Sequence, residues 1–177
     1  MRMQIVSVGS GEKRVLHWEG VQPIWAEWYP DGEHILLYAS SLPGKPSGIY
    51  VADIIGTPPK LIVERAFGRA GISPDGAWII CLHDGKRLLQ STTNGESKEI
   101  AKLPGDLRPI AWGRDADHIF TQKSDTYGAN LARVDLKTGK VEPWQTIKSM
   151  NQIGLRPMVN HVAITPDGKW MAYAYEN

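Results

Sequence analysis

One pentapeptide, Trp28-Tyr29-Pro30-Asp31-Gly32, returns three times along the chain in altered form. The copies are Ile72-Ser73-Pro74-Asp75-Gly76, the eroded Trp112-Gly113-Arg114-Asp115-Ala116, and Ile164-Thr165-Pro166-Asp167-Gly168. Their aspartates lie 44, 40 and 52 residues apart. Each copy has the chemistry of a tight turn. Proline presets φ, aspartate accepts bonds from nearby amides, and glycine takes a positive φ at no steric cost. Each is flanked by short apolar runs such as His34-Ile35-Leu36-Leu37-Tyr38-Ala39, which is apolar enough to be covered on both faces. A repeat of about 40 to 50 residues carrying four short strands predicts an all-β propeller of stacked antiparallel sheets.

The turn signals divide the 177 residues into four blade units: 24–64, 67–101, 107–146, and a split unit made of 159–177 plus 3–17. The last has two strands at the C-terminal end, and its missing pair stands at the N-terminal end, around a Gly9-Ser10-Gly11 turn. An open array would expose a bare sheet edge, which invites association. The expectation is therefore four blades of four strands, one of them closed by N- and C-terminal strands within the chain. The alternative is half of an eight-bladed ring formed by two chains, so the chain is a monomer or a strand-exchanged dimer. The eroded turn at Asp115 lacks both Pro and Gly and is expected to be looser.

Inside this period lies a second one. Three residues before each turn aspartate stand Trp28, Ile72, Trp112 and Ile164; three after it stand His34, Trp78, His118 and Trp170. The alternation reads as volume compensation in a packed core, with one indole kept per blade and the two positions facing each other across the turn.

Twenty Lys and Arg against nineteen Asp and Glu give no basic footprint for nucleic acid. No apolar run is long enough for a membrane span. The N-terminus has no signal-peptide pattern, so the sequence as written reads as cytoplasmic, or as periplasmic if it is an excised domain. Cys81, the only cysteine, sits in the run Trp78-Ile79-Ile80-Cys81-Leu82 and reads as a small buried hydrophobe. No metal-binding, serine-nucleophile or phosphate-loop pattern occurs, so no catalytic residue, metal or cofactor is expected. The turn aspartates, and His34 and His118 at a position shared with tryptophan, read as structural.

The innermost strand of a propeller blade lines the axis, and its polar side chains are the candidates for a binding site. Six residues before each turn aspartate stand Trp25, Arg69, Pro109 and His161; seven before stand Ile24, Gly68, Arg108 and Asn160. Glu27 occupies a place that is Gly71, Ala111 or Ala163 elsewhere, so its charge needs space or a partner. Glu27, Arg69, Arg108, Asn160 and His161 are the candidate residues at one mouth of the channel, suited to an acidic peptide or a small anion. The loops 40–47 and 123–129 add a second candidate surface.

The stretch Trp28-Tyr29-Pro30-Asp31-Gly32-Glu33-His34-Ile35-Leu36-Leu37-Tyr38-Ala39-Ser40 resembles the W-S-P-D-G-x-x-I-x-F/Y-x-S motif of TolB-like propellers, also called WD40-like or PD40 repeats. Segments 73–79 and 165–171 match nearly as well. The resemblance spans the whole chain and is specific for fold, not for function. It implies a bacterial, non-enzymatic platform for a protein or peptide partner. Two other readings stand beside it: a lactonase- or lyase-like propeller enzyme with an axial metal-dependent pocket, and a fragment of a larger propeller such as a kinase- or peptidase-associated sensor domain.

Overall fold

A computed structural model of the chain describes residues 2–40, 47–66, 71–100, 103–125, 128–148 and 159–175, with side chains for all but 159–161 and 175. The regular structure among them is entirely β. The first hairpin pairs β1 (Met3–Val6) with β2 (Lys13–Leu16). A four-stranded sheet follows, ordered β3 (Gln22–Trp28), β4 (His34–Ser40), β5 (Gly48–Asp53) and β6 (Lys60–Glu64). The next contains β7 (Trp78–His83), β8 (Lys86–Ser91) and β9 (Ser97–Glu99), and Ile72 bridges Ile79 where the innermost strand is expected. The third is complete, in the order β10 (Arg108–Trp112), β11 (His118–Asp125), β12 (Gly128–Asp135) and β13 (Val141–Lys148). The chain then pairs β14 (Val159–Ile164) with β15 (Met171–Tyr175).

The sheets stack face to face, and the runs in their second strands show why those runs are apolar throughout. In β4, Ile35, Leu37 and Ala39 pack with Leu16 and Trp18 on the β1–β2 side, whereas Leu36 packs with Ile72, Ile79 and Cys81 of the next sheet. Ile80, from the other face of β7, packs with Trp112, Ile119 and Val134 of the third sheet. Leu131, Ala129 and Ile147 meet Val162 and Met171 of the last hairpin. A strand covered on both sides has no solvent-facing positions, so the period-2 alternation disappears.

The order along the stack is thus hairpin, three sheets, hairpin. The expected shared blade is not formed within the chain: β1–β2 and β14–β15 are separate two-stranded sheets among the described residues. They pack against opposite ends of the stack, and among the described residues β14 is the one strand paired with β15. Counting turn signals located the two hairpins but carried no information about the curvature that would bring them together.

The turns follow the repeat. The amides of Gly32, Gly76 and Gly168 donate to the carbonyls of Tyr29, Ser73 and Thr165 at 3.1, 2.8 and 2.8 Å. The eroded copy keeps the shape with Ala116 at φ 57° and the longest of these bonds, 3.3 Å. This is the expected loosening, because a Cβ is disfavoured at positive φ.

The volume-compensation reading fails. Trp28 pairs with Ile35 and Trp112 with Ile119, one residue beyond the histidine, so indole and imidazole lie on opposite faces. Trp112 is 7% exposed, but Trp28 is 50% and Trp170 76% exposed. The alternation follows the partner of the turn aspartate instead. Asp31 bonds His34 Nδ1 at 2.8 Å and Asp115 bonds His118 Nδ1 at 2.7 Å. In the other two turns Ser73 and Thr165 donate to Asp75 and Asp167, and each hydroxyl accepts the amide of Trp78 or Trp170. Histidine is used where the residue two before the aspartate has no short hydroxyl to offer. At Gly113 a Cβ would lie 2.1 Å from His118 Nε2, so the ring occupies the place of that missing side chain.

Candidate functional site

The inner strands carry β-bulges, and these decide which candidates are equivalent. In β3 the register jumps between Pro23 and Trp25, in β10 between Pro109 and Ala111, and in β14 between Asn160 and Ala163. Trp25 therefore opposes Tyr38, Arg108 opposes Gln122, and Asn160 opposes Ala174. Tyr38, Gln122 and Ala174 each lie seven residues after their turn aspartate. Trp25, Arg108 and Asn160 consequently hold one rung of the innermost strand in three different sheets, although simple counting separates Trp25 from the other two. His161 falls inside the bulge of its strand. Arg69 lies outside the described residues, as does most of the loop 40–47.

Arg108 is exposed and donates from Nη2 to Gln122 Oε1 at 3.0 Å. Gln122 is almost fully buried, so its amide fixes the guanidinium at the mouth of the strand. A guanidinium has five N–H donors, more than this single bond uses. At the adjoining edge Lys123 Nζ sits 2.6 Å from Asp106, whose carboxyl is held below its ordinary range by that ammonium.

Glu27 does something different. Its half-buried carboxyl lies over Gly71 of the next sheet, where an added Cβ would be 2.4 Å from Oε1 and 2.7 Å from Oε2. It accepts a hydrogen bond from the Ile72 amide. Burial raises its pKa above the ordinary value, and the amide bond partly offsets this. The Gly71 carbonyl in turn accepts Trp112 Nε1 at 3.1 Å from the third sheet. Glu27, Gly71 and Trp112 thus form a latch across three sheets. Gly71, at φ 75°, is the residue whose missing side chain makes room for it. The partner that the charge of Glu27 requires is a backbone amide, a signal not visible in sequence. Glu27 is not brought onto the rung of Trp25 and Arg108.

Other polar groups are held in turns. Asp75 is kept ionised to lower pH by the Ser73 hydroxyl, Asp167 by that of Thr165, and Asp31 chiefly by the Glu33 amide. A crevice lined by Trp25, Leu36, Tyr38, Ile49, Gly71, Ile79 and Ile80 has a volume of about 10 Å³, the size of one water site.

No protein-family model matches the chain, and no curated protein matches it. Solved structures do. TolB from Acinetobacter baumannii superposes with a TM-score of 0.66 at 16% identity, over 99% of this chain and 48% of that one. A putative TolB from Agrobacterium tumefaciens gives 0.65 at 14% identity, over 97% and 73%. Hydrazine synthase from Kuenenia stuttgartiensis gives 0.60 at 19% identity, over 98% and 49%. The fold is a β-propeller fold of TolB-like form. The chain spans about half the length of the Acinetobacter structure. At these identities the likeness concerns fold alone, and one fold serves many functions.

Proposed function

We propose that this chain is a non-enzymatic binding module whose axial mouth takes an acidic or carboxylate-bearing segment of a protein or peptide. The supporting observation is the shared rung: Trp25, Arg108 and Asn160, residues that carry an indole, a guanidinium and a carboxamide, hold the same inner-strand position in three different sheets. That set offers stacking, charge-assisted donation and amide pairing to an extended chain. Arg108 is anchored from behind by Gln122, and its remaining donors can meet a carboxylate. Glu27, the one carboxyl among the candidates, is engaged with the Ile72 amide.

Fluorescence anisotropy with a labelled Asp/Glu-rich peptide tests this, with a Lys-rich peptide as control. The acidic peptide should bind and the basic one should not. Arg108→Ala should weaken binding about tenfold or more, since a hydrogen bond to a charged group contributes about 1.5–3 kcal/mol. Equal binding of both peptides, or indifference to Arg108→Ala, refutes the reading. Turnover of a lactone panel that Arg108→Ala abolishes would favour the enzyme instead.

A further inference from the structure

Three hairpins, β1–β2, β8–β9 and β12–β13, turn through the same six-residue loop. The amides of Ser7, Ser91 and Asp135 donate to the carbonyls of Glu12, Glu96 and Lys140 at 2.9, 2.8 and 3.0 Å. The fourth residue of each loop is Ser10, Asn94 or Thr138. Its side-chain oxygen accepts the amide two residues on, at 3.2, 2.9 and 3.2 Å. The fifth is a glycine at positive φ each time: Gly11, Gly95 or Gly139.

In two of these loops the glycine amide is held. Gly11 and Gly139 donate to the carbonyls of Ser7 and Asp135 at 3.0 and 2.8 Å. In the β8–β9 loop the corresponding acceptor, the Ser91 carbonyl, takes Nε2 of the buried Gln90 at 3.3 Å instead. Among the described residues the Gly95 amide has no hydrogen-bond partner. This loop therefore departs from its sisters twice: its fourth side chain is a carboxamide, and the backbone amide beside that side chain is unbonded. Asn94 is also the one asparagine in the sequence followed by glycine, and both residues are exposed.

The two departures are the two halves of one reaction. We propose that Asn94 is a site of covalent modification by spontaneous deamidation. The Gly95 nitrogen attacks Cγ of Asn94, its proton passes to Nδ2, and ammonia leaves as the new C–N bond closes a succinimide ring. Water then adds to either carbonyl of that ring and opens it, to aspartate or to isoaspartate. The sum is carboxamide plus water giving carboxylate plus ammonium. Glycine brings no Cβ to obstruct the attack. The Glu96 amide donates to Oδ1, the oxygen on which negative charge grows as the nitrogen adds. The hydroxyls of Ser10 and Thr138 offer no carbonyl carbon at the same place. An aspartate at 94 keeps the acceptor for Glu96 and adds a negative charge. Isoaspartate lengthens the backbone inside the loop closed by Ser91 and Glu96, whose carbonyl also accepts Gln90 Nε2 at 3.1 Å. That product loosens the start of β9.

Trypsin releases Leu88–Lys98, which holds no other asparagine, so mass spectrometry of the chain kept at mildly alkaline pH follows this site alone. The folded chain should lose the Asn94 amide within about tenfold of the rate of the urea-unfolded chain, a barrier difference below about 1.4 kcal/mol. Aspartyl and isoaspartyl forms should both appear, while Asn130, followed by Leu131, keeps its amide. Gln90→Leu returns the Ser91 carbonyl to Gly95. It should slow the loss in the folded chain about tenfold and leave the unfolded rate unchanged. A folded chain slower than the stated limit overturns the proposal, because the loop then blocks the attack. So does a Gln90→Leu chain, folded by circular dichroism, that deamidates at the wild-type rate.

Discussion

Replacing Gly71 by alanine should reveal the latch between the first two sheets. The substitution has two separable costs. At φ 75° an L-residue stands in the left-handed region, which costs about 1–2 kcal/mol. The new Cβ would also lie 2.4 Å from Glu27 Oε1. The carboxyl can swing away, but only by releasing the Ile72 amide, and a bond to a charged group contributes about 1.5–3 kcal/mol. Gly71→Ala should therefore lose about 2.5–5 kcal/mol in the wild-type background and only the backbone part, about 1–2 kcal/mol, in Glu27→Ala. Urea unfolding of the four chains of this cycle measures the coupling, expected at about 1.5–3 kcal/mol. Equal costs in both backgrounds would mean that the carboxyl moves freely, and the latch would be wrong.

Three further outcomes follow from the same geometry. Glu27 has a raised pKa, so its contribution to stability is fully present below the unfolded value near 4.5 and is lost as pH rises through the folded value. Glu27→Gln, which keeps an acceptor for Ile72, should match wild type in melting temperature below that window and exceed it above; a constant difference across pH refutes the assignment. Ala116→Gly should stabilise by about 1 kcal/mol in urea unfolding by relieving the left-handed alanine, and no gain would mean the turn carries no strain. Cys81, 1% exposed and with its thiol pushed up to about 11 by burial, should resist a thiol reagent at neutral pH until the protein unfolds. Rapid native-state labelling would remove it from the core.

The turn repeat made the strand order legible because Pro-Asp-Gly chemistry is local, and the second-strand runs made two-sided burial legible. Less could be read where function depends on geometry between sheets. Counting back from the aspartates grouped Arg108 with Ile24, but bulges at different places in β3 and β10 put it level with Trp25. The His/Trp alternation was visible, yet its cause, the choice of partner for the turn aspartate, needed the register. Glu27 stood out as a charge among small residues, but its partner is an amide one blade away. The relation of the two terminal hairpins depends on ring curvature, a property no single repeat encodes.

The stack of sheets is tested most directly by amide hydrogen exchange resolved by NMR. In a central strand successive amides bond alternately to the two neighbours, so none is free; in an edge strand every second amide faces solvent. The account predicts uninterrupted protection along Ile35–Tyr38 in β4 and Ile119–Gln122 in β11, and protection at alternate residues along Gln145–Lys148 in β13. Alternating exchange in β4 or β11, or unbroken protection in β13, would contradict the sheet order.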